Sequence, residues 1–447
     1  MTSVSLRSTR GLPLAAFVLI LVVAIASVIV VGTSNPEAQM FVVVTALTFG
    51  IGAIVIPRVA ARDGTLSPQF LFFALAAHVF GSLVRYFIIQ SVYHGVADAN
   101  GYMGLGAEYA AQFRAWNFPP IPPAGTEFMG YLVGVLFAIT GPTMLGGFVV
   151  CSTLSFIGSW YFYKAFRLSF ARGNTRMYAL LIFLLPSMWY WPSSLGKDAV
   201  IVLFLGLATY GFALVFRMVI VKGLFISMIG IGGVLMIRPP VGAALALSAA
   251  IAFAIRPAKL KIPALRAANW ILLVTLLAGL SVIAIGASKS FAGDSTLVEA
   301  YEAQRTSDFG LGGSDSNFQA SSIISPTGIP NALITSNFRP FPWEASGVLP
   351  RIAAMEGALL IVLIVARARE ILRGIKSWRD NSMVILVLGS FTGISLVLSS
   401  LTNYGLLARQ RTQVLPFLLM LPAMVRARPK VEVSQRQEAH QPVRLFA

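Results

Sequence analysis

At 447 residues, 57% of them hydrophobic and only 11% charged, the chain is too apolar for a water-soluble protein, in which about a quarter of residues carry charge. The net charge of +17 does not point to nucleic acid, because the Lys and Arg sit in short blocks between apolar runs rather than on one soluble face. A single cysteine, Cys151, inside an apolar run, excludes a disulfide framework, and with only His78, His94 and His440 beside it there is little material for a Cys/His metal site.

A membrane-crossing helix needs about 20 apolar residues, because its backbone groups find no water across about 30 Å of hydrocarbon. On that rule the sequence predicts an all-α, polytopic integral membrane protein with about twelve transmembrane helices. The first, 11–33, follows a basic segment and has the outline of a secretory signal. Its apolar run is too long for a signal core and no small-residue cleavage site closes it, so it reads as a retained span. Further spans are expected at 39–57, 68–92, 143–165, 176–191, 198–217, 223–237, 240–255, 267–287, 351–368, 382–402 and 412–425. The apolar stretch 128–140 is bracketed by Pro119, Pro120, Pro122 and Pro123 before it and Gly141 and Pro142 after it, which fits a re-entrant or interfacial segment.

Placing the N-terminus inside puts most of the Lys and Arg in short cytoplasmic loops, as the positive-inside preference requires. The blocks Lys164/Arg167/Arg172/Arg176, Arg256/Lys259/Lys261/Arg266 and Arg367/Arg369/Arg373/Lys376/Arg379 all fall there. The expected organisation is one transmembrane domain, 1–425, with long external loops at 93–127 and 288–350, and a basic cytoplasmic tail, 426–447, expected to be disordered. Both termini are then cytoplasmic in a multi-pass protein of the plasma (inner) membrane, whose first partner is membrane lipid.

Four clusters fall on the expected external face. Asp98 opens a stretch with Tyr102, Leu105, Tyr109 and Phe113 on one helical side, as in an interfacial helix; Asp98 is then either its N-cap or an acid kept ionised by the helix dipole. In Trp189-Tyr190-Trp191-Pro192-Ser193-Ser194-Leu195-Gly196-Lys197-Asp198 the aromatic residues suit an interface, and Lys197 either snorkels to headgroups or meets a phosphate. Arg238-Pro239-Pro240 forms the third. The fourth joins Arg339-Pro340-Phe341-Pro342-Trp343-Glu344 to Asn403-Tyr404 and Arg409-Gln410-Arg411. An arginine at membrane depth costs about 2.5 to 3.5 kcal/mol on insertion scales and normally faces a polar cavity or partner. Several on one face point to a shared anion, and guanidinium forks favour a lipid phosphate or diphosphate. His78 and Arg85, inside the third span, could line the same cavity.

The acidic residue in the first large external loop, in the context Asp98, Tyr102, Ala107, resembles the signature of GT-C superfamily membrane glycosyltransferases, which use polyprenyl-phosphate sugars. The stretches 192–198, 339–344 and 403–411 are similar to those of membrane proteins from bacterial envelope-polysaccharide gene sets. The resemblance implies sugar transfer with inversion on the external face, from a polyprenyl-phosphate-linked sugar to a glycan acceptor. Asp98 is the implied catalytic base, or else the ligand of a divalent cation, magnesium or manganese; Ala99 and Asn100, where a second acid would stand, depart from a metal-binding pattern. Lys197, Arg238, Arg339, Arg409 and Arg411 are the expected donor-phosphate contacts, with Tyr102, Glu108, Asp198, Glu344 and Asn403 supporting. A polymerase or ligase acting on undecaprenyl-diphosphate-linked glycan would rest on the arginines alone. A lipid-linked saccharide transporter should show an internal repeat, which this chain lacks.

Overall fold

The structure, a computed structural model, describes residues 35–95, 97–255, 318 and 328–426, and every regular element among them is helical. Helix α1 (Pro36–Asp63) opens on Asn35, whose side chain accepts from the backbone N–H groups of Glu37 and Ala38, and closes on Gly64 at φ +70°. Helix α2 (Pro68–Phe87) is capped by Ser67 and runs on as a wider π-helical turn through Ile88–Val92. Both start with proline at the first helical position, where a missing N–H breaks no bond. Helices α3 (Asp98–Arg114) and α4 (Thr126–Thr140) form a hairpin across the proline-rich turn, and α5 (Met144–Ser169) follows. The open end of α5 is capped by another helix: Glu37 accepts from the backbone of Met144 at 2.9 Å and of Leu145 at 2.8 Å.

The chain continues through α6 (Thr175–Leu184), α7 (Pro186–Tyr190), α8 (Lys197–Phe216), α9 (Ile220–Ile237) and α10 (Pro239–Ala254). Beyond residue 327 come α11 (Gly328–Phe338), α12 (Val348–Ala366), α13 (Ala368–Ile375), α14 (Ser382–Leu398), α15 (Tyr404–Gln410) and α16 (Leu415–Ala423). Among the described residues six helices are long and apolar enough to cross a membrane: α1, α2 with its extension, α5, α8, α9 and α12. Counting Ala368–Arg379 with α14, bent by 118°, as one broken span makes up to seven. On α12 the outward residues Met355, Leu359, Val362 and Val365 form an apolar stripe suited to lipid.

Several expected spans are therefore resolved differently. The stretch 176–191 is two short helices, because Pro186 has no N–H to continue α6 and holds Leu185 extended at ψ 129°. The stretch 412–425 is the nine-residue α16, buried on every side rather than spanning. The stretch 240–255 is the 16-residue α10, short of a full crossing. The segment 128–140 falls within α4, whose 15 residues reach about 22 Å and lie packed on α3. The loop expected at 288–350 carries a helix, α11, whose Asn337 donates to Ser395 Oγ of α14 at 2.8 Å. The spans expected at 11–33 and 267–287 and the tail beyond residue 426 lie outside the described residues.

At the centre α5 and α8 touch backbone to backbone. A Cβ on Gly206 would stand 2.4 Å from the Gly158 carbonyl oxygen, and one on Gly158 would stand 2.6 Å from that of Val202. Small residues at such a crossing let dispersion and packing hold helices together in a medium that offers no hydrophobic drive. The bundle has two polar ends. At one, Asp63 pairs with Arg167, Arg217 donates to the Leu168 carbonyl at 2.9 Å, and Arg172, Arg373 and Arg426 line a cavity. At the other, about 30 Å away along the 20 residues of α8, lie the residues singled out by the sequence.

Candidate functional site

The helix cap at α3 falls on Ala97, which makes no side-chain cap, so Asp98 is the first residue of the helix. Its carboxylate, 59% exposed, accepts from Arg409 Nη1 at 2.6 Å. The same guanidinium donates through Nε to Asp198 Oδ2. Asp198 sits in the first turn of α8 with a side chain only 2% exposed, and the positive end of the helix dipole favours a carboxylate there. Its other oxygen, Oδ1, faces Arg238 Nη2 at 3.8 Å and has no hydrogen-bond partner. Arg238 stands in the break between α9 and α10, aimed at this group by the turn that Pro239 begins.

Lys197 donates to Thr126 Oγ1 of α4 at 3.1 Å, which brings the α3–α4 hairpin against the start of α8. Tyr102, one turn after Asp98, is buried beneath the group. Burial and then the Asp98 carboxylate push its phenol above the ordinary range. For Arg409 burial works against the charge, yet the carboxylates of Asp198 and Asp98 outweigh it and raise the guanidinium further. Burial lowers Arg238, with Asp198 opposing. Gly196 is the close approach that makes room: a Cβ there would lie 3.0 Å from Arg409 Nη2.

Arg339 and Arg411 belong to a neighbouring cluster. Arg339 grips Glu344 through both Nε and Nη2, donates to Tyr404 OH at 2.8 Å, and lies with its Cζ 4.4 Å from the Phe318 ring centroid. Phe318 in turn stacks on Tyr404 at 4.6 Å. The Glu344 carboxyl is held below its usual range: burial would raise it, and the Arg339 bonds and the Phe341 N–H more than reverse that. Arg411 is fully buried and donates to the Arg339 carbonyl; burial brings it down to about 10, with the opposing influence of Glu356, so it stays charged at neutral pH. Asn403 caps α15, accepting from Gly405 at 2.9 Å and Leu406 at 3.1 Å. Between these residues and the ends of α2 and α12 opens a cavity of about 1080 Å³, walled by Ile88, Val92, Trp191, Val348, Glu344 and Tyr404 among others.

Four of the expected residues, Asp98, Lys197, Arg238 and Arg409, thus meet, with Asp198 and Tyr102 among them. Arg339, Glu344 and Asn403 face or frame the adjoining cavity, and Arg411 supports Arg339 from within. Glu108 is not brought in: it is exposed, ten residues along α3 from Asp98, or about 15 Å. His78 bonds Ser155 Oγ at 2.9 Å inside the bundle and reaches neither cluster. Sequence reasoning missed Thr126, Phe318 and Glu356. A lone acid in an apolar helix was the available signal for Glu356, whose Oε2 accepts from the Ser187 N–H at 2.9 Å.

A divalent cation does not fit this donor set. Asp98 and Asp198 already share one guanidinium, with Arg238 and Lys197 beside them, and no group of three His, Cys, Asp or Glu occurs among the described residues. What the arrangement can do is bind an anion at the arginines and hold a partly exposed carboxylate next to it. No family model, no curated protein and no solved structure matches this chain.

Proposed function

We propose that the protein is a membrane-embedded glycosyltransferase, moving a sugar from a lipid-phosphate carrier to a glycan or lipid-linked acceptor. The observation that carries this reading is the shared guanidinium: Arg409 binds Asp98 and the buried Asp198 at once, with Lys197 and Arg238 alongside. A lipid phosphate entering here competes for the Arg409 fork, which suits bidentate phosphate binding. Asp98 is then released as a free carboxylate next to the bound carrier.

Asp98 takes the proton of the acceptor hydroxyl as its oxygen forms the new bond to the anomeric carbon. On the opposite face the bond from that carbon to the phosphate oxygen breaks, its electron pair leaving with the lipid phosphate. Arg409, Arg238 and Lys197 stabilise the charge that develops there. The resemblance around Asp98 and Tyr102 to GT-C glycosyltransferases supports the same assignment. In this reading the site end faces outward across a plasma membrane and the arginine-rich end faces the cytoplasm.

The test is glycan composition of the cell envelope in a deletion strain complemented with wild type, Asp98→Asn or Arg409→Ala, at matched membrane levels. Loss of a sugar with Asp98→Asn supports base-assisted transfer. Restoration by Asp98→Asn while Arg409→Ala fails overturns it in favour of a polymerase or ligase that depends on the arginines.

A further inference from the structure

Arg85 is a buried cation that the reaction above does not use. It lies in α2, within a helix long enough to cross a membrane, and is 5% exposed. No carboxylate pairs with it among the described residues. Its guanidinium carbon stands 5.1 Å from the ring centroids of both Tyr190 and Trp191. It donates to Tyr190 OH at 3.3 Å and to Ser194 Oγ at 3.5 Å, both long, and its Nε has no partner. An arginine has five donors and a full charge, and in such a helix it normally faces a polar partner or a ligand.

The surroundings name the class of ligand. The Trp191 indole against Arg85 is also a wall of the 1080 Å³ cavity, as are Ile88 and Val92, three and seven residues beyond it on the same helix. Ile88, Val92, Val348 and Leu349 give that cavity an apolar side at the ends of two membrane-crossing helices, suited to a hydrocarbon chain. Ser194, which Arg85 touches, is two residues from Gly196, which abuts Arg409; two extended residues reach at most about 7 Å. Two separate guanidinium centres therefore flank one short segment. A diphosphate offers two tetrahedra of oxygens, one for each centre.

We infer that the carrier is a lipid diphosphate, with Arg409 and its neighbours holding the phosphate next to the sugar and Arg85 the phosphate next to the lipid. This rests on the reading of the site as one for a lipid-linked sugar, and it leaves the bond changes as written, the leaving group being the lipid diphosphate.

The full-length protein in nanodiscs would be titrated with undecaprenyl phosphate, undecaprenyl diphosphate and inorganic pyrophosphate, with binding read by native mass spectrometry. Wild type should prefer the diphosphate lipid by about tenfold or more, and Arg85→Gln should erase that preference while still binding the monophosphate lipid. Equal binding of the two lipids by wild type, or an unchanged ratio in Arg85→Gln, overturns the inference, and so does pyrophosphate binding as tightly as the diphosphate lipid. If Arg85→Gln is not stably made, Arg85→Lys, which keeps the charge without the fork, should show a reduced ratio. Asp98→Asn separates the two ideas: it should keep the lipid preference and lose transfer, and if transfer survives, the base role fails while the diphosphate assignment stands.

Discussion

Arg409 Nη1 lies 2.6 Å from Asp98 Oδ2, joining residues 311 positions apart in the sequence. The pair is lopsided: the arginine side chain is 13% exposed and the aspartate 59%. The guanidinium is fixed by the buried Asp198, so it is Asp98 that can let go. On the proposed reading, a carboxylate half in water, held by a cation that an incoming phosphate would claim, becomes free only when the carrier is bound.

Asp98→Asn should therefore remove catalysis without removing the fold. An exposed ion pair contributes about 1 kcal/mol or less, whereas a general base contributes about 10²- to 10⁴-fold in rate. Transfer measured in proteoliposomes is expected to fall by that order, with the thermal midpoint within a few degrees of wild type. A variant that transfers normally would end the base assignment.

The opposite balance is expected at Asp198. Arg409→Ala strands a carboxylate that is 2% exposed and otherwise has only Arg238 at 3.8 Å. Removing one partner of a buried pair costs about 3 to 5 kcal/mol, and neutralising the other returns much of it. Thermal unfolding in detergent should rank Arg409→Ala well below Arg409→Ala/Asp198→Asn. Equal stability of the single and double variants would show that the pair is not coupled.

Gly196→Ala tests whether the position of Arg409 matters apart from its charge. The backbone at Gly196 is extended, so alanine is not strained there, but its Cβ would stand 3.0 Å from Arg409 Nη2. A flexible guanidinium can yield a few tenths of an ångström. Near-normal stability is expected, with transfer reduced about tenfold, because small misplacements at a positioned group are costly in rate. Unchanged kinetics would mean that the approach of Gly196 is incidental.

Among the described residues α1, α2, α5, α8 and α12 grow from expected apolar runs of 18 residues or more, and hydropathy is a local property; α9 reaches 18 residues because Ile220, Val221 and Lys222 lengthen the expected 223–237. The length rule over-counts where proline interrupts a run, as Pro186 does between α6 and α7. It also mistakes a helix buried in protein, α16, for one facing lipid, since both are apolar. The site is legible as residue types on one end, because charge near a membrane is rare and each instance draws notice. Which charges meet is not legible: nothing local ties Asp98 to Arg409 or separates Arg339 and Arg411 from that pair. Those pairings are set by how the helices pack.

The Arg339–Glu344 clamp carries a pH prediction. Glu344 is held below the usual carboxylate range in the folded protein by the Arg339 bonds and the Phe341 N–H, against the effect of burial. Its contribution is therefore fully present above the unfolded value of about 4.5 and is lost as the pH falls through the lower folded value. Glu344→Gln removes a hydrogen-bonded charge partner and should cost about 1 to 3 kcal/mol at pH 7. The thermal midpoints of wild type and variant, followed from pH 7 to pH 3, should converge only below about pH 4.5. A constant gap across that range would mean that the carboxylate charge is not what holds the wall of the cavity.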